Sequence, residues 1–206
     1  LMGIGFFLQD LGTLGTPLMY GFRIREKILD LFEMLCGARI TLSYMRPGGV
    51  FSDTPPDFWP ALEHFMDELP SEFEEIEQLV LENEIVLVRT KGVSPLPLDL
   101  AISCSVSGPI LRASGLAWDW RKEEPYDAYE WVDFDVPVGA NGDNYDRFWV
   151  RMQEMRQSER IIRQCMEHIE PGPVRLDLPL VVRPEAGAEA YGRVEASKGE
   201  LAFYML

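Results

Sequence analysis

The sequence has 206 residues, enough for one large domain or two small domains with a sizeable core. Hydrophobic residues make up 47% and charged residues 26%, which excludes a disordered, collagen-like or low-complexity chain. Asp and Glu number 34 against 19 Lys and Arg, and the net charge of −15 argues against nucleic-acid binding, which needs clustered cations. The three cysteines (Cys36, Cys104 and Cys165) are widely spaced, which predicts no disulfide framework and a reducing compartment.

The first residues predict two helices. Residues 1–11 are typical of the end of an apolar helix, although no apolar run reaches the roughly 18 residues of a membrane span. A second helix is predicted to begin at Pro17, which suits a first turn, with Thr16 as its cap, and to continue to about Leu35.

An acidic stretch follows at residues 53–84, which hold eleven acids and neither Lys nor Arg. Apolar residues recur through it at helical spacing, so we predict an acidic amphipathic helical hairpin that turns at Pro70. Its acids are interpreted as a solvated face, because acids spread along helices lack the converging geometry of a metal site. Residues 85–88 fit either a short strand or a helix end.

The second half of the chain begins with a loop-rich region at residues 92–125. Residues 132–138 alternate apolar and acidic side chains, which predicts a strand. Asp143 is expected to cap a long helix that ends near His168. Residues 174–200 show no clear periodicity, and the apolar residues 201–206 predict a strand that pairs with a strand from outside this sequence.

Arginines flank the apolar stripe of the long helix, and they allow two interpretations. They cover the buried stripe and pair with the many acids of the chain, which is the more common arrangement, or they bind a neighbouring protein. The five residues are Arg147, Arg151, Arg156, Arg160 and Arg163.

Motifs for metal, nucleotide or nucleophilic chemistry are absent from the sequence. Neither His64 nor His168 has a metal-ligating partner three or four residues away, and there is no Cys-x-x-Cys pair, Walker loop or nucleophile elbow. Trp118, Trp120 and Trp131 lie in a loop-rich segment, which is typical of a packing surface or an interface. The residues alone therefore predict an acidic, mainly helical protein with a protein partner.

Several long motifs resemble the 49 kDa subunit of the proton-pumping NADH:quinone oxidoreductase, respiratory complex I. The resemblance covers roughly residues 1–175, in the same order as in the family. The motifs are Tyr44-Met45-Arg46-Pro47-Gly48-Gly49-Val50, Ser107-Gly108-Pro109-Ile110-Leu111-Arg112-Ala113-Ser114-Gly115, Trp118-Asp119-Trp120-Arg121-Lys122, Phe134-Asp135-Val136-Pro137-Val138-Gly139 and Arg151-Met152-Gln153-Glu154-Met155-Arg156-Gln157-Ser158.

The resemblance implies a mainly α fold with small β elements, like a [NiFe]-hydrogenase large subunit that has lost its nickel site. Residues 1–175 would form the central helical core, and residues 176–206 a shortened C-terminal segment that ends in a strand. The chain would bind no cofactor of its own. It would form the quinone cavity together with a partner subunit that carries the terminal 4Fe-4S cluster, and it would be inactive as an oxidoreductase and translocase by itself.

The implied location is the peripheral arm of the complex, on the matrix side of the mitochondrial inner membrane or the cytoplasmic side of a bacterial plasma membrane. Other subunits of the complex, where NAD is bound, would be its partners. A second polypeptide is expected to supply the N-terminal and C-terminal regions of the family pattern, including the His and Tyr that bind the quinone headgroup.

Site residues follow from the resemblance in three groups. The quinone cavity would be lined by Asp10, which matches an Asp linked to the headgroup-binding His, and by Phe6, Thr16 and Pro17. The partner's cluster would lie near Arg46 and Thr41, where the family has a His that takes up a proton on cluster reduction. The residues expected at interfaces or as scaffold are Arg112, Trp118, Asp119, Arg121, Arg147, Arg151 and Arg156.

Two alternatives to a complex I core subunit remain. The chain could be the large subunit of a membrane-bound, energy-converting [NiFe] hydrogenase, whose middle region shares part of the pattern. It could also be a non-catalytic structural remnant that holds neighbouring subunits together, since Thr41 replaces the cluster-neighbouring His.

Overall fold

The computed structural model describes residues 1–12, 16–81, 83–179 and 183–206. These residues fall into two compact units, one of Leu1–Ile76 with Ile169–Glu185 and one of Glu77–His168 with Ala186–Leu206. The helices are α1 (Met2–Asp10), α2 (Thr16–Cys36), α3 (Phe58–Val80), α4 (Glu84–Thr90), α5 (Leu98–Ser103), α6 (Gly108–Ala113), α7 (Trp120–Glu123) and α8 (Asn144–His168). The strands are β1 (Met45–Arg46), β2 (Gly49–Val50), β3 (Ala190–Ala196) and β4 (Gly199–Met205). The predicted mainly α architecture with small β elements is confirmed.

Helices α1 and α2 pack closely against each other in the first unit. A Cβ on Gly5 of α1 would lie 2.9 Å from the Leu18 Cα of α2, so only glycine allows this approach. Ile4 and Leu8 of α1 and Ile24 of α2 are buried at 4%, 0% and 0% exposure. The predicted helices are therefore confirmed, with Pro17 in the first turn of α2.

The predicted hairpin at Pro70 is wrong, because α3 is one helix that contains Pro70 in its interior. Its buried side chains continue on both sides of the proline, with Leu69 5% and Phe73 3% exposed. Burial of a large apolar side chain gains about 1.5–3 kcal/mol, so an uninterrupted apolar stripe offsets the roughly 3 kcal/mol that an internal proline costs.

Residues 85–88, which fitted a strand or a helix end, belong to helix α4. The Asn83 side chain caps this helix, since its Oδ1 accepts hydrogen bonds from the amides of Ile85 (3.0 Å) and Val86 (3.4 Å).

Residues 132–138 are extended but form no strand with any described residue, which corrects the sequence-based prediction. The alternation of burial is present, since Val132 and Phe134 are 4% and 2% exposed. The intervening amides are instead satisfied by side chains of α8: Asp133 N donates to Gln164 Oε1 at 2.9 Å, and Asp135 N donates to Gln157 Oε1 at 3.0 Å. Glutamines on a neighbouring helix thus replace a partner strand.

The long helix α8 is confirmed, and Asp143 caps it. Asp143 Oδ1 accepts from the Asp146 amide at 2.9 Å, while its Oδ2 accepts from the Gly92 amide at 2.7 Å. The predicted stripe is buried in its first half, where Phe148 and Met152 are 2% and 0% exposed.

The partner predicted for the C-terminal strand was wrong. Strand β4 pairs with β3 of the same chain as an antiparallel hairpin, from Ala190 opposite Met205 to Ala196 opposite Gly199. Sequence reasoning missed β3 because alanine and glycine occupy alternate positions along much of it, and such small side chains give a weak hydrophobic signal.

Candidate functional site

The predicted quinone-cavity residues lie on α1 and at the start of α2. Phe6 and Asp10 are four residues apart on α1 and are both exposed, so they share one face of the helix. Pro17 is partly buried in the first turn of α2. The side chain of Thr16 and residues 13–15, where the predicted one-residue insertion at Gly15 falls, lie outside the described part of the chain.

Asp10 occupies a position that is unfavourable for an acid. It is the last residue of α1, where the helix dipole disfavours negative charge, and α1 has no basic residue in its last turn. Within the described residues no hydrogen bond or ion pair reaches its carboxylate. Phe6, one turn earlier, exposes 51% of its surface. An unpaired acid beside an exposed aromatic ring costs local stability, which is typical of residues retained for binding.

The predicted cluster-neighbouring residues lie in the loop and hairpin after α2. Thr41 is exposed and adopts φ = 57°, a left-handed conformation that β-branched residues rarely adopt. Its hydroxyl donates to the Ile40 carbonyl at 2.6 Å. Arg46 donates from Nε to the Ser43 carbonyl at 3.2 Å, and its guanidinium lies 4.3 Å from the centre of the Phe51 ring.

Arg39 turns this loop back along α2. Its guanidinium pairs with three acids of that helix, which are Glu26 at 2.6 Å, Glu33 at 3.1 Å and Asp30. The 21 residues of α2 span about 30 Å, so Asp10 before the helix and Thr41 after it do not meet. The return of the loop shortens their separation along the helix.

A buried charge cluster lies inside the second unit and contains several residues of the predicted scaffold. Arg112 on α6 is 1% exposed. It donates from Nε to Glu154 of α8 at 2.7 Å, and from Nη1 to Glu195 of β3 at 2.9 Å and to the Trp118 carbonyl at 2.9 Å. A charged group this deeply buried requires such partners. The cluster therefore fastens α6, α8 and β3 to one another.

Asp119 and Arg121 complete the charge cluster. The Asp119 carboxylate caps α7 and accepts from Arg121 Nε at 2.9 Å and Nη2 at 2.6 Å, and it lies 3.5 Å from Arg112. Burial tends to raise the pKa of Asp119, but Arg121 and Arg112 together hold it below its ordinary value. Burial is the dominant influence at Glu154, where it raises the pKa despite the contact with Arg112. These contacts are internal, so the predicted role at an interface stays a prediction.

The arginines of α8 pair largely with acids, as the more common interpretation predicted. Arg156 binds Glu77 at 2.5 and 3.1 Å, Arg160 binds Asp133 and Asp135, and Arg163 binds Glu159. Near the start of the helix the arginines contact carbonyls instead. Arg147 donates to Ser94 and Gly142, both at 2.7 Å, and Arg151 donates to the Arg147 carbonyl at 2.8 Å.

Two searches of the described residues, 1–12, 16–81, 83–179 and 183–206, gave negative results. No group of three or more His, Cys, Asp or Glu side chains is arranged to hold a metal ion. None of the helices in these ranges is both long enough and apolar enough to cross a membrane.

Comparison with known proteins identifies similar sequences along the whole chain. The family described as the 49 kDa subunit of respiratory-chain NADH dehydrogenase matches residues 10–188. An NADH-quinone oxidoreductase subunit of type D, from Dehalococcoides mccartyi (strain ATCC BAA-2100), is 51% identical over 206 residues, which are 100% of this chain and 56% of the relative. The type-D relative from Roseiflexus sp. (strain RS-1) is 51% identical over 98% of this chain, and that from Desulforamulus reducens is 46% identical over 100% of it.

The chain thus spans 56% of the length of each of these relatives, or about half. All of them are bacterial, so they give no support to the mitochondrial location that the sequence left open.

Proposed function

Because the chain belongs to the family of the 49 kDa subunit of respiratory-chain NADH dehydrogenase, we propose that it serves as a core subunit of an NADH:quinone oxidoreductase. Its first two helices then help to line the cavity in which quinone is reduced. The match over residues 10–188 carries this proposal, since it includes Asp10, the start of α2 and the whole of the buried charge cluster except Glu195.

The exposed face of α1 supports a position at the cavity. A quinone has an apolar ring and two carbonyl oxygens, so its site needs an apolar wall and a few polar groups rather than a bound cofactor. Phe6 offers an aromatic surface, and Asp10 offers a carboxylate one turn away. That carboxylate acts through the headgroup-binding His of the family pattern, which makes Asp10 a positioning residue.

The proposed partner is the small subunit that carries the terminal 4Fe-4S cluster, with other subunits of the complex around it. The described part of this chain presents no metal-ligating group, so the cluster is assigned to that partner. We place the chain in the peripheral arm, on the cytoplasmic side of a bacterial membrane, with the fold of a hydrogenase large subunit. The relatives are named as NADH-quinone oxidoreductase subunits, which favours this role over the energy-converting hydrogenase.

A photoreactive quinone tests the position of α1. In the assembled complex, we expect the label to be found in the tryptic peptide that ends at Arg23 and contains Phe6 and Asp10. Excess unlabelled quinone should remove that label. Labelling that is confined to other peptides, and that excess quinone still suppresses, would place the cavity elsewhere and contradict the proposal.

A second prediction concerns Thr41 and the partner's cluster. A nearby histidine would couple reduction to proton uptake, because an added electron raises its proton affinity near neutral pH. Threonine does not titrate in that range. We therefore expect the reduction potential of the terminal cluster to be nearly independent of pH between roughly pH 6 and 8.

The measurement is a redox titration of the cluster at several pH values, with Thr41→His as the informative variant. Histidine tolerates a left-handed backbone better than threonine does, so the φ of 57° does not oppose the change. The variant should acquire a potential that falls as pH rises, whereas Ser43→His, at a neighbouring exposed position, should not. A falling potential in the unmodified complex would overturn the prediction.

A further inference from the structure

The β3–β4 hairpin has two chemically different faces. Residues directly opposite each other in an antiparallel pair point to the same side of the sheet, so the register assigns every side chain to a face. The apolar face consists of Ala190, Gly192, Val194, Ala196, Gly199, Leu201, Phe203 and Met205. The polar face consists of Tyr191, Arg193, Glu195, Glu200, Ala202 and Tyr204.

The polar face is the one that is attached to the rest of the second unit. Glu195 accepts from Arg112 at 2.9 Å, and its side chain is 3% exposed. Glu200 accepts from Trp120 Nε1 at 3.0 Å, and the Arg193 guanidinium lies 3.4 Å from the centre of the Trp120 ring. These contacts fix the orientation of the hairpin, so its apolar face cannot turn inward.

The apolar face is open to solvent across the sheet. Phe203 and Met205 each expose 64% of their surface, Leu201 exposes 47% and Val194 39%. No charged side chain interrupts the face. A two-stranded hairpin is marginally stable in water, and a contiguous apolar surface of this kind marks a site of protein contact.

We propose that this apolar face docks onto the part of the family's length that this chain does not span. The D. mccartyi relative is 51% identical here, yet the chain covers only 56% of it, so the relative has additional polypeptide to place against the hairpin. The complementary surface is apolar and uncharged. A second copy of this chain is the less suitable occupant, because it would bring two molecules of net charge −15 together. The inference rests on family membership and is independent of the quinone site.

Two adjacent residues of β4 provide a matched test. Phe203 on the apolar face and Tyr204 on the polar face expose 64% and 57% of their surfaces, so each can be changed to serine in a similar environment. The variants are made in this chain alone and in a chimera. The chimera is the full-length D. mccartyi protein in which the matched region is replaced by this chain.

In the chain alone, we expect Phe203→Ser and Tyr204→Ser to lower the midpoint of thermal unfolding equally. In the chimera, Phe203→Ser should lower it by about 5 °C or more beyond Tyr204→Ser, because only Phe203 becomes buried. Equal effects in the chimera would overturn the proposal. A dimer of the chain alone that Phe203→Ser dissociates, detected by light scattering, would identify a second copy as the occupant and would overturn it as well.

Discussion

Replacing Arg112 with methionine is expected to lower the free energy of unfolding by about 3–5 kcal/mol. Arg112 is 1% exposed and neutralises Glu154 and Glu195, which come from α8 and β3. Methionine fills most of the volume but leaves two carboxylates close together without their cation. An uncompensated buried charge costs far more than the net energy of an intact pair.

Urea unfolding of the full chain, followed by tryptophan fluorescence, measures this loss. Arg160→Met is the matched control, because Arg160 also binds two carboxylates but its side chain is 42% exposed. An exposed pair contributes about 0–1 kcal/mol, so this variant should change little. Adding Glu195→Gln to Arg112→Met should recover part of the loss, since it removes one of the unpaired charges. Equal losses in Arg112→Met and Arg160→Met would show that burial of the cluster has no energetic consequence.

The sequence predicted α8 well because its signals are local. Asp143 provides the cap, and the apolar spacing continues to the end of the helix near His168. Pro70 was misinterpreted because its local cost was visible in the sequence, whereas the burial of Leu69 and Phe73 depends on tertiary packing. Local signals are reliable where no distant contact opposes them.

Long-range contacts explain what the sequence could not predict. Arg112 was recognised as a scaffold residue, but its partners Glu154 and Glu195 lie 42 and 83 residues further along the chain. The alternation at residues 132–138 predicted which side chains are buried. It could not show that Gln157 and Gln164 take the place of a partner strand.

The candidate quinone site depended on the resemblance rather than on pattern. An acid that ends an apolar helix is compatible with an ordinary surface position, and no spacing distinguishes Asp10 from one. The structure adds that Asp10 and Phe6 share an exposed face of α1. This is the arrangement that a cavity wall requires, and it makes the position testable by substitution.

Replacing Asp10 with asparagine is expected to lower the rate of quinone reduction by about 10- to 100-fold in the assembled complex. Asparagine keeps the shape of the side chain but loses the negative charge that orients the headgroup-binding His and stabilises its protonated form. The loss should fall on kcat with KM little changed, since the substituted group does not touch the ring of the substrate. Asp10→Glu should restore part of the rate.

Gln9→Ala is the matched control, because Gln9 is also exposed on the last turn of α1 but points in another direction. The central claim is tested most directly by the rate of NADH-driven quinone reduction in membranes that contain equal amounts of each assembled complex. NADH oxidation by a soluble one-electron acceptor serves as the internal reference. The account predicts that Asp10→Asn loses quinone reduction but keeps the reference activity, while Gln9→Ala keeps both. Quinone reduction by Asp10→Asn at the unmodified rate would contradict it.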